Sequence, residues 1–129
     1  MWTGKDNGKD VSWHKAMKYC RGLRLAGYSD WRLATLAELR GIFDPTAEAP
    51  GLAGKHGDDP FSFHIKGNLF LTGDQWSRSQ RRDDRGRPSG LVWYFDFCNG
   101  YKGSEDGSRF SGSNAGYDKR ALCVRGPEK

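Results

Sequence analysis

Hydrophobic and polar positions follow two periods along the chain, helical in the first third and extended in the last half. Behind Ser12, the residues Trp13, Ala16, Met17, Cys20 and Leu23 recur at helical spacing, while Lys15, Lys18 and Arg21 take another face. The spacing predicts a helix over residues 13–23, capped by Ser12 and ended by Gly22 and the stretch to Gly27. Residues 28–33 alternate apolar and polar and read as a short strand. Thr35 and Glu38 make a capping box, in which the hydroxyl accepts from the Glu38 amide and the carboxylate reaches back. Leu36, Leu39, Ile42 and Phe43 supply the stripe of a second helix, which Asp44-Pro45 stops.

Residues 44–60 hold three prolines and three glycines and read as one long irregular segment. Phe61, Phe63 and Ile65 alternate and are expected to tuck under the core. Residues 76–82 are a strand candidate, followed by a charged loop over 81–90. Residues 91–97 form the strongest strand, with Trp93, Phe95 and Phe97 on one face and Tyr94, Asp96 and Cys98 on the other. Asn99-Gly100 suits a type I′ hairpin turn with both residues at positive φ, and a return strand starts at Tyr101. A Gly/Ser-rich stretch over 103–116 and a closing strand over 121–125 complete the chain. Two helices followed by an antiparallel sheet make an α+β pattern without internal repeat.

Composition narrows the class. With 129 residues the chain is one domain. A mean hydropathy of −0.82 excludes a bilayer-spanning stretch, and 13% aromatics argue against disorder. The net charge of +5 favours anionic partners without naming one. Cys20, Cys98 and Cys123 are too few and too far apart for a structural zinc site. One disulfide with a free thiol and three reduced thiols both fit the count. Residues 1–6 carry no apolar segment of the signal-peptide kind, and the abrupt start suits an excised domain, so the terminus leaves the compartment open.

Candidate chemistry is sparse. His14, His56 and His64 lack metal-ligand spacing and read as solvated residues. There is no phosphate-binding glycine loop and no nucleophile elbow. No catalytic residue, metal or cofactor is therefore expected. Arg78, Arg81, Arg82, Arg85 and Arg87 are five arginines in ten residues, offset by Asp83 and Asp84. Guanidinium forks bind sulfate, carboxylate or phosphate, although charge runs are more often solvated loops. The five tryptophans read mostly as core. Arg78, Gln80, Arg81, Arg82, Arg85, Tyr94, Asp96, Cys98 and Tyr101 make the expected contact surface, because nothing in the pattern requires Tyr94, Asp96, Cys98 or Tyr101 for packing.

Several segments together resemble one bacterial family. They are Met1-Trp2-Thr3, Ser12-Trp13 with Ala16 and Tyr19-Cys20, and the most specific run, Leu25-Ala26-Gly27-Tyr28-Ser29-Asp30-Trp31-Arg32-Leu33-Ala34-Thr35 with Glu38-Leu39. Trp76-Ser77, Trp93, Phe95, Phe97, Asn99-Gly100 and Cys123-Val124-Arg125 follow. The chain resembles the Lcl C-terminal domain family, named for a collagen-like adhesin, nearly end to end. The resemblance implies a C-type-lectin-like fold and, from the first helix to the last strand, a Cys20–Cys123 disulfide. It leaves Cys98 as an exposed, unpaired thiol. Ala34 stands where the family usually has proline. The Glu-Pro-Asn, Gln-Pro-Asp and Trp-Asn-Asp tripeptides of calcium-dependent lectins are absent, so a calcium-bridged sugar site is not expected.

The expected function is a non-catalytic binding module for an extracellular glycan, polyanionic in one version, or for a protein. The C-terminal sheet face and the loop 78–90 would make the contact. Secretion or cell-surface display is expected, with no specific nucleic acid, no membrane insertion and the oligomeric state left open. Some family members are diversified by retroelements, which sister copies differing only on this face would reveal. The alternatives are a formylglycine-generating type of enzyme, with Cys98 and Cys123 as its thiol pair, and a structural or oligomerisation head.

Overall fold

The computed structural model describes residues 1–9, 11–47, 49–52, 60–66, 69–71, 73–106 and 119–127. It is α+β. Helix α1 spans Trp13–Arg21 and α2 spans Leu36–Gly41. The strands are β1 Arg32–Leu33, β2 Ala49–Leu52, β3 Pro60–Phe63, β4 Asp74–Arg82, β5 Pro88–Phe95, β6 Lys102–Asp106, β7 Lys119–Arg120 and β8 Cys123–Val124. The main sheet has the order β6-β5-β4-β7, antiparallel except for the parallel β4–β7 pair.

Both helices start where their caps place them. The Ser12 hydroxyl accepts from the Lys15 amide at 3.3 Å. The Thr35 hydroxyl accepts from the Glu38 amide at 3.1 Å, and Glu38 Oε1 accepts from the Thr35 amide at 2.8 Å. The short strand expected over 28–33 narrows to β1, because residues 25–28 curl into a tight turn with Ala26 and Gly27 at positive φ. The segment 44–60 is less irregular than expected, since Ala49–Leu52 pairs with Pro60–Phe63. Ile65 is buried as expected, whereas the side chains of Phe61 and Phe63 lie outside the described residues. So do His56 and residues 107–116 of the Gly/Ser-rich stretch.

The sheet is covered on both faces. Phe95 packs with Leu36 and Leu39 of α2, joined by Ile65, Leu71, Phe97, Leu122 and Val124. Val92 and Trp76 pack with Ala16 and Cys20 of α1, joined by Trp31, Leu33, Ala121 and Cys123. A sheet filled on both faces has no spare apolar face, which decides where a ligand surface can lie.

The chain ends close on residues 28–38. β1 pairs with β8, and the Trp2 backbone bridges to Val124. Cys20 and Cys123 form the disulfide that the resemblance implies, with Cα atoms 5.4 Å apart across a sequence separation of 103. Arg32 donates to both oxygens of Glu38 at 2.7 Å and to the Gly126 carbonyl at 2.9 Å. Arg125 donates to both oxygens of Asp30, at 2.8 and 3.0 Å, and its guanidinium stacks 3.6 Å from the Tyr28 ring centre. The Trp31 indole donates to the Leu25 carbonyl at 3.3 Å. The most family-specific run of the sequence thus builds a seam.

Candidate functional site

The hairpin from β4 to β5 is tighter than the sequence suggests. β4 runs through Arg82 and β5 begins at Pro88, so the expected loop 81–90 reduces to residues 83–87. Asp83 organises that turn, its Oδ1 accepting from the amides of Arg85 at 2.9 Å and Arg87 at 3.0 Å. Arg78, Arg81 and Arg82 are strand residues rather than loop residues. Alternation along a strand separates neighbouring side chains, and here it splits the arginine cluster.

Arg78 is half-buried and lines a cleft of about 130 Å³ with Arg21, Trp31, Arg32 and Leu33, apart from the rest of the 78–87 cluster. Arg81 is exposed and turns to the opposite side. Its Nη1 donates to the Ser104 hydroxyl at 3.1 Å, and its guanidinium sits 5.2 Å from the centre of the Trp93 ring. The Lys102 ammonium sits 4.7 Å from the same ring. Arg82 donates to the Gly86 carbonyl at 3.1 Å. Gln80 and Arg85 are exposed, and Gln80 pairs with Val92, on the face away from Arg81.

The row Arg81–Trp93–Ser104–Lys102 exists because of register. A two-residue turn at Asn99-Gly100 would set Ser104 beside Phe95. The observed pairing sets Trp93 opposite Ser104 and Phe95 opposite Lys102. The connection is longer because Asp96 accepts twice: its carbonyl takes the Gly100 amide at 2.8 Å, and its Oδ1 takes the Cys98 amide at 2.8 Å. Gly100 alone has positive φ in this turn, at 79°, so the expected type I′ geometry gives way to a wider bend. The shift of two residues keeps every side chain on its expected face but moves the row along the strand.

Three expected contact residues serve other purposes. Tyr94 is half-buried, edge-on to Trp76 at 6.4 Å, and its ring lies so close over Gly103 that any side chain there would collide. Burial, aided by the charges of Glu105, Asp74 and Asp96, pushes its hydroxyl pKa up. Lys119, 2% exposed, reaches the Tyr94 ring at 4.2 Å and Glu105 at 3.2 Å. The face expected to be free is therefore filled by packing. Asp96 shapes the bend. Cys98 is unpaired but half-buried rather than exposed, and burial, with Asp96 and Asp74 nearby, pushes its thiol up to about 12. Tyr101, by contrast, is 72% exposed, as expected.

Trp93, Lys102 and Ser104 are the residues that sequence reasoning missed. Trp93 had been assigned to the core, and it does touch the Phe95 cluster with part of its ring. The usable signal was the basic residue after the hairpin, readable only with the correct register.

Among the described residues, no group of three His, Cys, Asp or Glu side chains could hold a metal ion. His64 Nδ1 lies 2.8 Å from the Ala47 carbonyl, and His14 stacks edge-on against Trp13. Cys123 is bonded to Cys20, so it forms no thiol pair with Cys98. No described helix is long and apolar enough to cross a membrane.

These features define a disulfide-closed α+β domain with two cations beside a half-exposed indole on its two-sided sheet. The chain belongs to the Lcl C-terminal domain family, whose model matches residues 1–125. No curated protein and no solved structure matches it.

Proposed function

We propose that the domain is a non-catalytic, C-type-lectin-like binding module for an extracellular anionic glycan. One observation carries the reading: two cations, Arg81 and Lys102, flank the half-exposed Trp93 ring, and among the described residues neither pairs with a carboxylate. An indole offers a stacking surface for a sugar ring, and the flanking cations select sulfate or carboxylate groups on it. Tyr101, the residue before Lys102, adds an exposed ring. The lectin-like reading is supported by the paired chain ends and by the disulfide from the first helix to the last strand. That disulfide also favours an oxidising compartment, secreted or cell-surface.

Retention on a heparin column tests the site. The wild type is expected to bind and to elute earlier as salt rises, because ion release accompanies each contact. Arg81→Ser with Lys102→Ser should cut retention while Arg78→Ser does not. Equal retention of all three proteins would reduce the row to a solvated surface. Thiol titration tests the enzymatic alternative, which needs two reactive thiols in one pocket. A single thiol, alkylated on the order of 10²–10³-fold more slowly than an ordinary cysteine at pH 8, is expected from Cys98.

A further inference from the structure

On another part of the surface, three of the six exposed large hydrophobic side chains among the described residues converge on one groove. They are Tyr19, Leu25 and Phe70, each 41–45% exposed. Scattered exposed apolar residues are ordinary, whereas a cluster around a concavity marks a binding surface. The groove encloses about 500 Å³. Leu23 completes its walls, the backbone at Gly4 lies on its floor, and Lys5 stands at its edge. A Cβ added to Gly4 would meet no atom within 4 Å, so the space above it is open.

The floor offers no strand edge. The Gly4 carbonyl accepts from the Phe70 amide at 3.0 Å, and the Phe70 carbonyl accepts from the Asp6 amide at 3.2 Å. Recognition here is by side-chain insertion, not by backbone pairing. The rim is basic. Besides Lys5, the exposed Lys15 lies one helical turn before Tyr19, and the exposed Arg24 donates to the Leu23 carbonyl at 3.3 Å. Among the described residues, no acidic side chain lines the groove. The nearby Asp6 is buried and accepts from Gln75 at 2.8 Å.

Charge and shape choose the occupant. A second copy would bring this basic rim against a basic surface, since the chain carries +5. A flat lipid surface would touch the tips of Tyr19, Leu25 and Phe70 but leave the floor empty. We propose that the groove docks an acidic peptide segment of a partner protein. One bulky apolar side chain would sit over Gly4, and flanking carboxylates would meet Lys5, Lys15 and Arg24.

The test is fluorescence anisotropy with a dye-labelled peptide that carries a central phenylalanine between acidic residues, beside the same peptide with lysines as flanks. The acidic peptide should bind, and the lysine version should not. Gly4→Leu should weaken binding about tenfold or more by filling the floor; Gly4 has an ordinary φ, so the change brings no backbone strain. Lys5→Glu with Lys15→Glu should weaken it comparably and remove its salt dependence. Equal affinity for wild type and Gly4→Leu would overturn the proposal. So would sedimentation with phosphatidylserine-containing vesicles in place of peptide binding, or a dimer that Gly4→Leu dissolves. Heparin retention should be unchanged in Gly4→Leu, which keeps this test separate from that of the Trp93 row.

Discussion

The seam at the chain ends and the row on β4–β6 use the same residue types to opposite effect. In the seam every described arginine of the family-specific run and its partner strand has a carboxylate: Arg32 has Glu38, and Arg125 has Asp30. In the row Arg81 meets a hydroxyl and an indole face, and Lys102 meets the same indole. A guanidinium chelated by a carboxylate has spent its fork, and its field is cancelled within a few ångströms. One that rests on neutral groups still offers its charge to a ligand. The paired arginines at the family-specific run therefore report architecture, whereas the row leaves its charge uncancelled.

If the seam is what stabilises the domain, removing its disulfide should have the largest effect. Cys20→Ser with Cys123→Ser opens a closure of 103 residues, and chain-entropy reasoning gives a loss on the order of 4–5 kcal/mol. Urea unfolding measures it, and an unchanged midpoint would break the comparison.

The row has one structurally demanding point of its own. Gly100 sits at φ 79°, and a Cβ there would fall 2.9 Å from two ring carbons of Phe43. Gly100→Val should cost about 2–3 kcal/mol, combining backbone strain with a displaced ring. A thermal melt equal to wild type would show that the bend adapts.

Acid should attack the seam next. Burial alone would raise the Glu38 carboxyl, but hydrogen bonds from Arg32 and Thr35 outweigh it and lower it to about 2. A carboxylate depressed from 4.5 stabilises the fold fully above about pH 5, and loses that contribution as pH falls through about 2. The loss should be on the order of 2 kcal/mol, allowing for solvent screening. Melting temperatures of wild type and Glu38→Gln between pH 5 and 2 check it, since the variant should lose this part of the slope.

The smallest stability effect belongs to the row. Arg81→Ser with Lys102→Ser should change stability by no more than about 0.5 kcal/mol, as exposed sites do. A larger loss would mean that these cations hold the sheet together, and would erase the contrast with the seam.

How much of this was legible depended on distance along the chain. Ser12 and the Thr35–Glu38 box were readable because a cap acts within three residues. The Asn99-Gly100 signal located the hairpin but misjudged its turn, because the Asp96 side chain competes for the same amides and lengthens the bend. The spacing of Trp93, Phe95 and Phe97 was read correctly as one face, yet Tyr94 on the other face was read as free. Alternation tells which residues share a face, but not what covers it.

The sequence by itself determined the two helices and their starts, the extended second half, the α+β class and, through its family motif, the pairing of Cys20 with Cys123. These rest on local hydrogen bonds, on side-chain periodicity or on a shared motif. Only the tertiary structure decided that α1 covers the Tyr94 face, that Arg78 parts from Arg81, and that Trp93 stands between two cations. It also brought Phe70 to Tyr19 and Leu25 around Gly4. Each of these depends on strand register or on contacts between residues far apart in the chain. A shift of two residues in one hairpin preserves the local pattern while it changes which side chains meet.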